Sequence, residues 1–121
     1  MTIRGAAALL KNRELSPVEL TRAFLDRIDS IDDKLHSYLV VLNDQALSDA
    51  RVAESEIISG NYKGPLHGIP FALKDLYDTA GVATTSGSKV DIDRVPESDS
   101  TCTSRLKDAG GILPGLSLIH I

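Results

Sequence analysis

Tryptophan is absent from this 121-residue sequence, and aromatic side chains make up only 4% of it. Cysteine is nearly absent too: Cys102 stands alone, which excludes an internal disulfide and cannot by itself build a thiolate metal site. A reducing compartment, the cytoplasm, is therefore the expected location. Histidine is equally sparse. His36, His67 and His120 have no partner at i+3 or i+4, so no helix displays a ligand pair and each is expected to be structural or solvent-facing. There is no basic excess either: 13 Lys plus Arg against 17 Asp plus Glu give a formal net charge of −4. Such a field repels phosphate backbones and anionic lipid headgroups, so neither nucleic acid nor a membrane is an expected partner. The one apolar run near the amino terminus, Ala6 to Leu10, is ended by Lys11 to Glu14 well short of a signal-peptide core, and no export is expected. Phosphate-binding glycine patterns, Gly-x-x-x-x-Gly-Lys-Ser/Thr and Gly-x-Gly-x-x-Gly, do not occur, which leaves nucleotide binding without support.

What remains is an ordinary soluble composition, 42% hydrophobic and 25% charged, in a length that holds one core at most. Ser16-Pro17-Val18-Glu19 reads as a helix start, with Ser16 as cap, Pro17 pre-set for the first turn and Glu19 closing a capping box. Leu20, Phe24, Leu25, Ile28 and Ile31 then recur at helical spacing. A shorter helix from Ile3 to Leu10 offers Ile3, Ala6, Leu9 and Leu10 as part of their packing partner. The apolar, β-branched run from His36 to Leu42 predicts a strand. Asn43 is placed to cap a helix carrying Ala46, Leu47, Ala50, Ala53, Ile57 and Ile58, which Gly60 stops.

A second strand is expected over Gly68 to Leu73, ending at Lys74-Asp75. Turn chemistry follows at Asp78 to Gly81 and at Thr85 to Ser88, where Gly81 and Gly87 admit positive φ. Residues 98 to 109 predict a helix capped by Ser98, Asp99 or Ser100, with Cys102, Leu106 and Ala109 inward and Gly110-Gly111 as breaker. Ile112-Leu113 starts another strand. Asp108 is the last charged residue, so residues 109 to 121 carry none, against about three expected at the chain's average.

Lys74 is the one ionisable side chain set at the end of a greasy segment. A strand-end lysine that keeps its ammonium wet is the plain reading. To act as a base it must be neutral, and lowering a reference pKa of about 10.4 to 7 costs on the order of 4.6 kcal/mol. Ser86 and Ser88 read as loop-shaping hydroxyls, with a nucleophilic serine beside a lysine base as the sharper alternative. Asp75 and Asp78 read as solvated loop acids, and Cys102 as inert.

Three strings taken together carry a resemblance: Gly64-Pro65-Leu66-His67-Gly68-Ile69-Pro70-Phe71-Ala72-Leu73-Lys74-Asp75, then Thr84-Thr85-Ser86-Gly87-Ser88-Lys89, then Ser98-Asp99-Ser100 with Arg105 to Gly111. They resemble the amino-terminal part of an amidase signature enzyme, over residues 1–115, while 116–121 match nothing in that pattern and read as a foreign tail. The resemblance implies an incomplete α/β fold, with amino-terminal helices plus the first strands of a mixed-sheet domain. It implies acyl transfer from a small-molecule amide through a Ser, cis-Ser, Lys triad in which Lys74 is the lysine. No metal or cofactor is needed, because a neutral lysine and serine hydroxyls relay the proton. Ser86 and Ser88 do not correspond to the triad serines, so the fragment is expected to be inactive alone. Two alternatives accompany this reading: the glutaminase-type A subunit of a tRNA-dependent amidotransferase, and a small non-enzymatic α/β interaction module.

Overall fold

The computed structural model describes residues 1–117; residues 118–121, and with them His120 and most of the expected foreign tail, lie outside the described residues. Seven elements follow in order: α1 (Ile3–Lys11), α2 (Pro17–Leu35), β1 (Tyr38–Val41), α3 (Asn43–Ile58), β2 (Pro70–Lys74), α4 (Thr101–Asp108) and β3 (Ile112–Ser117). The strands form one mixed sheet in the order β1-β3-β2. β3 is the middle strand, antiparallel to β1 and parallel to β2. Its residues Ile112 to Leu116 are all buried, as expected of a strand covered on both faces, which is why it reads as an uninterrupted apolar run.

Ile112 meets one face of the core, formed by Leu25 and Ile28 of α2 and the alanine stripe Ala46, Ala50 and Ala53 of α3. Leu113 and Leu116 meet Leu73 of β2 on the other. The small alanines let α3 lie close against the sheet. A third cluster joins Ala6 and Leu10 of α1 to Leu20 of α2 and Ile69, just before β2, so the two amino-terminal helices do supply part of each other's partner. Phe24 and Ile3 stay 45% and 60% exposed, on the flank of the stripe. The capping box at Ser16 and Glu19 is formed, and the Ser16 hydroxyl also donates to Glu54, tying the start of α2 to α3.

Three local expectations are corrected. His36 does not begin β1: it closes α2 in the left-handed conformation, φ 50°, while Asp32 accepts from the Ser37 and Tyr38 amides beyond it. Asn43 is the first residue of α3 and not its cap; Leu42 holds that position without a side-chain bond. In α4, Cys102 is exposed and Thr103 is the buried residue, its hydroxyl 2.9 Å from that of the capping Ser100. An eight-residue helix gives too few turns for periodicity to decide which face is covered.

His67 is fully buried. Its Nδ1 accepts from the Lys63 amide at 3.0 Å, so Nε2–H donates to Glu56 at 2.9 Å, and Lys63 Nζ lies 2.8 Å from the same carboxylate oxygen. Burial pushes the imidazole below its ordinary value, against the opposing pull of Glu56. A second proton would land on Nδ1, facing an N–H donor. Because the folded value is depressed, stability from this site is complete above the unfolded value of about 6.5 and is lost as pH falls through the lower folded value. Thermal melts are therefore expected to show a falling midpoint between pH 7 and pH 5 that His67→Gln removes; a midpoint equally pH-dependent in that variant contradicts this.

Candidate active site

Lys74 is the last residue of β2, directly after Leu73, which sits in the core. The sheet thus delivers it to one end, in register with Ser117 of β3. There the chain turns sharply: the Lys74 carbonyl accepts from the amides of Leu76 (2.7 Å) and Tyr77 (3.0 Å), and the Asp75 amide donates to the Ser117 carbonyl at 2.8 Å. Lys74 itself is half-buried. Among the described residues its ammonium has no ion-pair partner.

Asp75 overturns its sequence reading. It is 1% exposed, not a solvated loop acid. Its carboxylate accepts from the Thr85 amide at 2.9 Å, from the Thr85 hydroxyl, and more weakly from the Gly87 amide at 3.4 Å. Its carbonyl accepts from the Ser86 amide at 2.8 Å. Two of the three strings that carry the resemblance, Gly64 to Asp75 and Thr84 to Lys89, are therefore joined in one structural unit. Ser86 and Gly87 both adopt left-handed backbone, φ 55° and 66°, and Ser88 spends its hydroxyl accepting from the Val90 amide at 3.1 Å. That is loop-shaping, as expected. No hydrogen bond among the described residues joins Ser86 or Ser88 to Lys74.

The irregular segment from Leu76 to Ser100 is tied down behind this unit. Arg94 grips Asp78 with two bonds of 2.7 Å and holds its carboxyl below the usual range. Thr84 and Arg94 are joined through the Thr84 amide and the Arg94 carbonyl at 3.0 Å, and Ser100 donates its amide to the Asp78 carbonyl at 2.8 Å. Asp99 accepts from the Ala80 amide at 2.7 Å and from Lys107 at 2.8 Å; burial opposes its anion, but these donors outweigh it and its carboxyl stays low. Among the described residues no group of three His, Cys, Asp or Glu is gathered as a metal ion requires, and no helix is long and apolar enough to cross a membrane.

Lys74 thus stands half-buried at the carboxyl end of a strand in a mixed α/β sheet, and its neighbour Asp75 anchors a hydroxyl-rich loop. The family model described as Amidase matches residues 19–119, and the chain belongs to the amidase family. Among curated proteins it is 43% identical over 115 residues to the A subunit of glutamyl-tRNA(Gln) amidotransferase from Geobacter metallireducens, covering 95% of this chain and 24% of that protein. The corresponding protein of Salinispora tropica is 45% identical over 109 residues, covering 90% of this chain and 22% of that one. Among solved structures, native peptide amidase from Stenotrophomonas maltophilia superposes with a TM-score of 0.89 at 32% identity, over 97% of this chain and 24% of the amidase. The chain thus spans about a quarter of the length of the relatives it matches.

Proposed function

We propose that this chain is the lysine-bearing, amino-terminal portion of an enzyme that cleaves carboxamide C–N bonds, with Lys74 as its proton acceptor. The observation that carries the reading is the placement of Lys74: a core strand ends on it, and the next residue anchors the second signature string. In the proposed reaction a serine hydroxyl attacks the amide carbonyl while its proton passes through a bridging serine to neutral Lys74. The proton returns along the same path to the leaving amine, and water then hydrolyses the acyl-enzyme. Both serines come from polypeptide beyond this sequence. The purified 121-residue chain is accordingly expected not to hydrolyse simple amides, whereas a chimera carrying residues 1–117 in place of the matching segment of the peptide amidase is expected to turn over. Amide hydrolysis by the isolated chain that Lys74→Ala abolishes contradicts the incomplete-triad reading.

The identities of 43% and 45% to the amidotransferase relatives, against 32% to the peptide amidase, favour a second, narrower reading. In it the amide is that of glutamine, and the ammonia released is handed to a companion protein. Preference of a chimera built on an amidotransferase scaffold for glutamine over simple amides tests it; equal rates on both reject it.

A further inference from the structure

We propose that Asp75 is a positioning residue for Lys74, its buried carboxylate and Thr85 forming a brace that clamps the Thr85–Gly87 loop to the end of β2. The proposal rests on the reading of Lys74 as the proton acceptor. Burying a carboxylate is costly unless its lone pairs are engaged, and Asp75 has no cationic partner among the described residues. Its donors are two amides and one hydroxyl from ten to twelve positions downstream. A turn whose only task is to reverse the chain needs no such group, since exposed Asp or Asn does this on the surface.

Asp75 also sits where three segments meet. Its amide is bonded to Ser117 of β3, its carbonyl to Ser86, and its side chain to Thr85 and Gly87. Thr85 extends the brace, its hydroxyl accepting from the Gly87 amide at 3.2 Å. Ser86 is held at φ 55° in the middle of this cage, and such strained backbone persists where its surroundings over-determine it. Lys74 and Asp75 share a peptide bond, so their Cα atoms are about 3.8 Å apart, and a residue held through its amide, its carbonyl and its carboxylate fixes the root of the lysine.

Hydrogen exchange in the 121-residue chain is the first arm of the test. Thr85→Val is expected to lower protection of the Ser86 and Gly87 amides about tenfold while Leu113 and Leu116 keep theirs, and Thr85→Ser is expected to match the parent. Unchanged loop protection overturns the brace, whether or not any chimera turns over. The second arm uses the peptide-amidase chimera. Asp75→Asn and Thr85→Val are expected to lower kcat about 10- to 100-fold, the range a small misplacement of a reacting group produces, with KM within about twofold and activity restored by Thr85→Ser. Unaltered kcat, a rise in KM alone, or a Thr85→Ser variant as impaired as Thr85→Val overturns the proposal. Lys74→Ala separates the two levels. If that variant is inactive while Thr85→Val matches the parent, only the brace fails; if Lys74→Ala itself stays active, the underlying reading fails.

Discussion

Lys74→Ala in the peptide-amidase chimera is expected to lower kcat on the order of 10⁴-fold, the scale seen when a member of a catalytic triad is removed. That factor corresponds to about 5.4 kcal/mol of lost transition-state stabilisation. The physical reason is that an amide needs both an activated nucleophile and a protonated leaving group, and in the proposed reaction one amine serves both steps. Lys74→Arg is expected to be as inactive as alanine, because a guanidinium cannot deprotonate near neutral pH. The side chain is half-buried at the strand end, so neither substitution removes much core. Stability within about 1 kcal/mol of the parent is therefore expected on chemical denaturation, which separates loss of chemistry from loss of fold.

The second large effect is structural. Gly115 lies in the middle strand, aligned with Val41 of β1 and Ala72 of β2. A methyl group there would run into the Val40 carbonyl oxygen and lie 2.9 Å from Cδ1 of Tyr38. Backbone on the neighbouring strand cannot step aside as a flexible side chain can, so Gly115→Ala must push β1 away from β3. The cost is about 3 kcal/mol, at the upper end for overpacking, and it is a large part of a typical stability of roughly 5–15 kcal/mol. A shift of the denaturation midpoint by that amount, with loss of amide protection first in Tyr38 to Val41, is the expected outcome; wild-type stability would show that β1 does not need that close approach.

Much of the frame is legible in the sequence because its determinants are local. The Ser16 capping box, the Gly60 stop at φ 90°, the Ser100 cap and the arrival of β2 at Lys74 each depend on a few adjacent residues. The resemblance to the amidase signature likewise rests on short strings, and the family match and the α/β sheet bear it out. Contacts distant in sequence are harder to read. Nothing near Asp75 shows that Thr85 and Gly87 return to surround it, so its buried role is invisible there; the hint is a carboxylate next to Lys74 and a hydroxyl-rich string some ten positions on. For His67 the residues alone leave a structural or solvent-facing role, and the structural one holds. Its tautomer is set by the Lys63 amide, and the Nε2–H this leaves is taken up by Glu56 on α3, eleven residues upstream. Phe24 and Cys102 depart from expectation for a different reason: helical spacing names a stripe but does not say how wide a face the neighbouring elements cover.

The most direct measurement of the central claim is a crystal structure of the active chimera. Lys74 Nζ is expected within about 3 Å of a serine hydroxyl, in a cavity closed from bulk water by the remainder of the peptide amidase, with Thr85 still bonded to Asp75. An ammonium directed into solvent, with no serine hydroxyl in reach, would contradict it.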